Sequence, residues 1–183
     1  MATAPKLRMT VDEFLAWAEG RPGRYELIDG EVVAMSPERT RHAEVKFAVQ
    51  TALAQSIRAA GVPCRVLPDG MTVRVDRRTA YEPDALVYFG PRLPGDAIEV
   101  PDPVIVVEVL SPSTGGVDTG AKLTGYFSLP SVQHYLVVDP TRSMLAHHRR
   151  GAGLMETRLL TDGTVRLEPP GIELPVADLF RES

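Results

Sequence analysis

The 183-residue sequence contains a single cysteine, Cys64. One thiol excludes an internal disulfide and a cysteine-based metal cluster. Set in Val62-Pro63-Cys64-Arg65-Val66, it reads as a small buried hydrophobe of an intracellular, reduced protein, and a cytoplasmic location is expected. Long apolar runs are lacking as well. The greasiest stretch, residues 104–107, stops at Glu108 and is far too short to span a bilayer. The opening Met1-Ala2-Thr3-Ala4-Pro5-Lys6 leads into no apolar run, so no signal peptide is expected. Basic excess is missing too: the net charge is -4. That argues against an extended surface that coats nucleic acid, but not against a local grip on a few phosphates. There is no internal repeat, low-complexity tract or interior linker.

What is there suits one globular domain over residues 1–183. Hydrophobic residues make up 44% and charged residues 24%, and this length can bury a core. Thr10-Val11-Asp12-Glu13 reads as a capping box opening a short helix through Glu19, ended by Gly20 and Pro22. Asp29-Gly30 between two β-prone runs predicts a hairpin over residues 25–35. Ser36-Pro37-Glu38 predicts the start of a long helix reaching Ala60, with His42, Val45, Val49, Leu53 and Ile57 at helical spacing and Gly61 as its stop. Residues 64–67 and 71–75, flanking Pro68-Asp69-Gly70, predict a second hairpin. Strands follow over 84–89 and 104–110, then a helix over 118–127. Further strands are expected over 133–138, 144–149, 156–160 and 165–167, with residues 176–183 a short helix or a loose tail. Mixed helices and strands point to an α/β fold with a mixed sheet.

Two acids stand in strands that otherwise want none. Asp84 follows Pro83 and opens Ala85-Leu86-Val87-Tyr88, and Glu108 interrupts Val104-Ile105-Val106-Val107 and Val109-Leu110. Burying a carboxylate without a partner costs several kcal/mol, so Glu108 needs a partner or a use. A strand-end acid paired with arginine is the plain structural reading. The alternative is a hard-oxygen site for Mg²⁺ or Mn²⁺, made by two carboxylates on neighbouring strands. Such an ion activates water and neutralises phosphate charge. Lys122 is the candidate amine beside it. Asp118, Lys122 and Tyr126 are spaced four apart and share one helical face, which could equally be a solvated side.

The ordered set Tyr25-Glu26-Leu27-Ile28-Asp29-Gly30-Glu31, His42, Glu82-Pro83-Asp84, Val107-Glu108-Val109-Leu110-Ser111-Pro112-Ser113-Thr114, Asp118-x3-Lys122-x3-Tyr126 and Tyr135-Leu136-Val137-Val138-Asp139-Pro140 resembles the Uma2 family. That is a bacterial family of restriction-endonuclease-like proteins within the PD-(D/E)XK nuclease superfamily. The resemblance runs over about residues 8–180. It implies a restriction-endonuclease-like core, a mixed sheet flanked by helices with extra β-hairpins, and Mg²⁺- or Mn²⁺-dependent cleavage of DNA. It places Asp84 on the metal-binding aspartate, Glu108 on the second acid and Glu26 on an upstream glutamate that completes the site. The superfamily pattern wants lysine two residues after Glu108, where this chain has Leu110. The resemblance supplies that amine from the following helix, as Lys122.

Other residues carry less. His42 could face the site, although a core or capping role is the plainer reading. Ser111 and Ser113 lack a glycine-flanked elbow and a paired histidine, so they read as loop or helix-entry hydrogen bonders. His147 and His148 sit next to each other on a strand, with rings to opposite faces, which disfavours a shared metal. Arg74, Arg77 and Arg78 read as a solvated hairpin tip. Three functions remain open on the sequence: a metal-dependent endonuclease, an inactive nuclease-fold module for binding or assembly (as a homodimer), and a hydrolase of another phosphate ester.

Overall fold

A computed structural model describes residues 8–111 and 118–181, without the side chains of Asp118 and Thr119. The order of elements is α1 (Val11–Ala18), β1 (Tyr25–Ile28), β2 (Glu31–Ala34), α2 (Thr40–Ala60), β3 (Cys64–Pro68), β4 (Val73–Arg74), β5 (Ala80–Tyr81), β6 (Ala85–Phe89), β7 (Pro103–Val109), α3 (Asp118–Ser128), β8 (His134–Asp139), β9 (Met144–Arg150), β10 (Met155–Leu160), β11 (Thr164–Leu167), β12 (Ile172–Pro175) and a 3-10 turn (Val176–Phe180). The main sheet has the order β10-β9-β8-β7-β6-β3, and a smaller one the order β2-β1-β5-β4.

In the main sheet only β7 and β8 run parallel, joined across α3. Every residue of β7 is buried except Glu108, which is partly so. Such a strand needs cover on both faces. Ile105, Val107 and Val109 pack into the core beneath α2, with Val49 and Leu53. Val106 packs on the opposite face with Tyr126, Tyr135 and Val137. Side chains alternate along a strand, so Glu108 shares the α3 side with Val106. A third cluster joins α1 to the small sheet through Val11, Phe14, Leu27 and Ala80.

The capping box is formed, with Thr10 accepting from the Glu13 N–H and the Glu13 side chain returning to the Thr10 N–H. The Asp29-Gly30 hairpin is β1–β2, and both turn residues take positive φ, 51° and 83°. Gly61 ends α2 at φ 65°. Cys64 is buried and free.

Two expectations are corrected. The long helix begins at Thr40 rather than at Ser36; Arg39 stands at its cap and makes no side-chain cap bond. Glu38 is instead drawn sideways to Arg24 (3.1 Å) and Lys46, and an acid held that way is not available to the helix end. The second hairpin does not form. β3 pairs with β6, and β4 with β5 in the other sheet. Asp69, at the turn between them, bonds Arg24 and Lys46, and the chain crosses from one sheet to the other at Gly70, φ 95°. Of the two readings of the tail the short helix is the one that forms: Val176–Phe180 is a 3-10 turn, with Val176 and Leu179 fully buried in the α2 core.

His147 and His148 do point apart, but His147 has a partner that the pattern did not show. Its Nε2 lies 2.9 Å from Nδ1 of His134, whose Nε2 lies 2.9 Å from the Pro169 carbonyl. That carbonyl only accepts, so His134 Nε2–H donates to it and His147 Nε2–H donates to His134 Nδ1. Burial pushes both rings down to about 4. Both are therefore expected to stay neutral down to about pH 4, which a pH titration of histidine ring protons by NMR reads directly. Midpoints near the ordinary value for both rings would contradict the buried pair.

Candidate metal centre

The register of β6 and β7 builds the centre. Ala85 faces Val107, so Asp84, one step further out, comes level with Glu108. Directly opposed residues of antiparallel strands hold their Cβ atoms about 5 Å apart. Two carboxylates are thus forced together by strand pairing. Asp84 is locked by its surroundings: its N–H donates to the Val107 carbonyl (2.9 Å), its Oδ2 accepts from the Val109 N–H (2.7 Å), and Gln50 Nε2 donates to its carbonyl (3.0 Å).

Glu108 faces α3. Its Oε1 accepts from Lys122 Nζ (3.0 Å) and from the Tyr126 hydroxyl (2.8 Å). Lys122 also donates to Glu26 Oε1 (2.8 Å), so it bridges the two glutamates from a buried position, 5% exposed. Lys122 and Tyr126 thus lie on a buried helical face, not on a solvated one. The backbone of Asp118 starts α3, but its side chain, like residues 112–117 and Ser113 among them, lies outside the described residues. α3 comes close to the small sheet because residue 125 is glycine: a Cβ there would meet Tyr81 Cε2 at 2.7 Å.

Glu26, on β1, is buried and also accepts from the Glu82 N–H (2.9 Å). His42 reaches the site from α2, with Nε2 2.7 Å from the Val109 carbonyl and 3.9 Å from Asp84 Oδ2. Asp84, Glu108, Lys122, Glu26 and His42 line one cleft of about 570 Å³ together with Glu38 and Asp69.

The sequence pattern missed Glu38, Asp69, Lys46 and Arg24. Carboxylate oxygens of Glu38, Asp69 and Asp84 lie within 4.8 Å of one another. Lys46, only 4% exposed, places Nζ against Glu38 and Asp69, and 3.1 Å from Asp84 Oδ1. Arg24 joins Glu82 (2.6 Å) to Asp69 (2.6 Å) and Glu38. A signal existed for Lys46: it lies one residue after Val45 in the apolar register of α2. Nothing in the sequence tied Arg24 or Asp69 to it, because their meeting is purely tertiary. Arg74 is no free hairpin tip either; it bonds Glu99 (2.9 Å) and Asp12 (2.6 Å).

Charge decides what this lattice favours. Among the described residues, Glu26, Glu38, Asp69, Glu82, Asp84 and Glu108 face three permanent cations, Arg24, Lys46 and Lys122. With every carboxylate ionised, three negative charges are in excess, and in a partly dry cleft that excess is costly. One response is visible at Glu108: burial, against the pull of Lys122 and aided by the fields of Asp84 and Glu26, pushes its carboxyl up to about 8. Tyr126 is raised too, by burial and by Glu108, so its hydroxyl is a neutral donor. A divalent cation in the cleft would offset the same excess. The donors are hard oxygens, which fit Mg²⁺ or Mn²⁺ and not a soft metal. His42 Nδ1 is a further sign: it is buried, makes no hydrogen bond and lies 3.9 Å from Glu38 Oε2.

Against known proteins, residues 11–177 match the model of the Uma2 family, described as "Putative restriction endonuclease". The chain belongs to the Uma2 family. Two curated relatives from Synechocystis sp. agree in extent. The uncharacterized protein slr1290 is 29% identical over 140 residues, 76% of this chain and 73% of its own length. The uncharacterized protein sll1609 is 24% identical over 153 residues, 82% and 85% of the two chains. The fold is that of the crystal structure of a putative nuclease belonging to DUF820 from Anabaena variabilis: TM-score 0.75 at 18% identity, over 94% of this Uma2 chain and 97% of the other. The mixed sheet flanked by helices is therefore a nuclease-type fold. No helix among the described residues is long and apolar enough to cross a membrane.

Proposed function

We propose that this Uma2 chain is a Mg²⁺- or Mn²⁺-dependent endonuclease that hydrolyses DNA phosphodiester bonds. The observation that carries the reading is the register that sets Asp84 opposite Glu108, with the buried Lys122 bridging Glu108 to Glu26. Asp84 and Glu108 would hold the ion, and Glu26 would assist through Lys122. When bound, a divalent ion supplies Lewis acidity toward a phosphate oxygen and an attacking water. The chain does the rest. Tyr126 and Lys122 fix the Glu108 carboxylate, and the backbone of β7 fixes Asp84, so neither has to reorganise on binding. Lys122 keeps a positive charge about 3 Å from Glu108, where negative charge would develop on the phosphate oxygens. Its arrival from α3 answers for Leu110, which cannot provide an amine. The wall of the cleft partly excludes water, which strengthens each of these fields.

The test uses purified protein with plasmid, linear duplex, single-stranded DNA and RNA, in Mg²⁺, Mn²⁺ or EDTA. DNA cleavage with a divalent ion, absent in EDTA and lost in Asp84→Ala, is expected. Mn²⁺ binding by calorimetry with no cleavage of any substrate would leave a metal-binding module and sink the nuclease reading. Cleavage of RNA alone would move the substrate.

A further inference from the structure

β10 is an outer strand of the main sheet, and its residues 155–159 are all exposed. Three of the few exposed large apolar side chains lie on it or beside it: Leu154 (59% exposed), Met155 (46%) and Leu159 (67%). An edge strand with open N–H and C=O groups is a template for another strand unless something blunts it. Lone charges of one sign, proline or a bulge do so; β10 has neither proline nor an irregularity in its pairing, and its two charges are of opposite sign.

The pairing with β9 shows which backbone groups point outward. Arg150 gives its N–H to the Gln133 carbonyl on the β8 side (2.9 Å), while in the next pair toward the turn Gly151 gives its N–H to the Leu154 carbonyl (2.9 Å). Met155 stands opposite Arg150, so it turns its own N–H and C=O away from β9. Bonded and non-bonded pairs alternate along an antiparallel ladder. Met155, Thr157 and Leu159 therefore all direct their backbone groups to the open edge.

We propose that β10 is the dimer interface of this protein, paired antiparallel with β10 of a second copy about a two-fold axis through Thr157. The register follows from the backbone: only outward-facing residues can bond to outward-facing ones, and the axis at Thr157 is the one that engages all three. Met155 then faces Leu159 of the second copy and Thr157 faces Thr157, which gives roughly six backbone hydrogen bonds. The side chains fit the same axis. Met155 and Leu159 bring two exposed apolar groups together, twice over, on the α3 side of the sheet. On the other side Glu156 faces Arg158 and Arg158 faces Glu156, both pairs of opposite charge, and Leu154 falls level with Leu160. A strand that places acid, threonine and base in sequence, flanked by apolar residues, is complementary to itself when reversed. Two main sheets would become one continuous sheet, with the two candidate metal centres on separate subunits. This inference is independent of the nuclease reading.

The experiment is sedimentation equilibrium of the full chain across a concentration series, with circular dichroism as the check on folding. Wild type is expected to dimerise. Glu156→Arg and Arg158→Glu should each weaken the dimer by roughly thirtyfold, since each sets two like-charged pairs face to face. The double variant Glu156→Arg/Arg158→Glu should dimerise like wild type. The two single variants, mixed, should form a heterodimer, because one then presents two bases and the other two acids. Thr157→Pro removes an outward N–H and should give a folded monomer. A wild type that stays monomeric would overturn the proposal. So would a dimer that both single charge reversals leave unchanged, a reading that holds even if Thr157→Pro fails to fold.

Discussion

Glu108→Gln is expected to weaken Mn²⁺ binding by at least ~100-fold while leaving the metal-free protein as stable as wild type, or more so. The first half follows because the amide offers a neutral oxygen where the centre has a charged one, and supporting partners alone are worth 10- to 100-fold at metal sites. The second half follows from burial. The Glu108 carboxyl is raised to about 8, first by desolvation and then by Asp84 and Glu26 acting against Lys122. A carboxyl whose folded value lies above its unfolded one holds its proton preferentially in the folded state. Its contribution to stability is fully present below about pH 4.5 and is lost as pH rises through about 8. Glutamine cannot ionise and loses nothing. The stability of the variant relative to wild type should therefore grow from pH 6 to pH 9, by on the order of 2 kcal/mol, as urea titrations at the two pH values would show. A constant difference would mean that Glu108 is already ionised at pH 6. The same proton competes with the ion, so Mn²⁺ affinity of wild type should climb over this range.

Lys122→Met is the second large effect, and its sign is opposite. Methionine fills much the same space but strips Glu26 and Glu108 of the ammonium they share. Removing one partner of a buried ion pair costs about 3–5 kcal/mol, because the remaining charge stays buried. The melting temperature of the metal-free variant should fall steeply. Mn²⁺ should recover part of the loss, since a ligand that binds only the folded state stabilises it by mass action, and here it also supplies the missing positive charge. The measurement is the melting temperature of both proteins with and without Mn²⁺. A Lys122→Met protein that melts with wild type would show that the lysine is solvated in solution and would remove it from the centre. Lys122→Arg keeps the charge and serves as the control for packing.

Much of the candidate centre was legible in the residues because strand chemistry is local. An acid such as Glu108 inside Val104-Ile105-Val106-Val107 is an anomaly at any sequence window. A lysine and a tyrosine four apart on the next helix announce a shared face. The hairpin at Asp29-Gly30, the cap at Thr10 and the stop at Gly61 were legible for the same reason: each depends on neighbours within a few residues.

Errors arose where a local signal met a distant competitor. Ser36-Pro37-Glu38 carries a sound helix-start pattern, yet Glu38 is held by Arg24 and Lys46 and the helix waits until Thr40. Pro68-Asp69-Gly70 carries a sound turn pattern, yet β3 finds the longer β6 and Asp69 finds two cations. In each case an ion pair with the buried Lys46 outweighs a preference worth about 1 kcal/mol in isolation.

The sequence by itself determined which residues are anomalous, that Asp84 stands at the entry to a strand and Glu108 within one, and that Lys122 follows on a helix, because these are matters of period and of the cost of burying charge. Only the tertiary structure decided that Asp84 and Glu108 stand in one register, that Lys122 ties Glu108 to a glutamate 96 positions from itself, and that Glu38, Asp69, Lys46 and Arg24 extend the cluster. Strand register and the meeting of distant side chains depend on the whole packing, and no short stretch of chain encodes them.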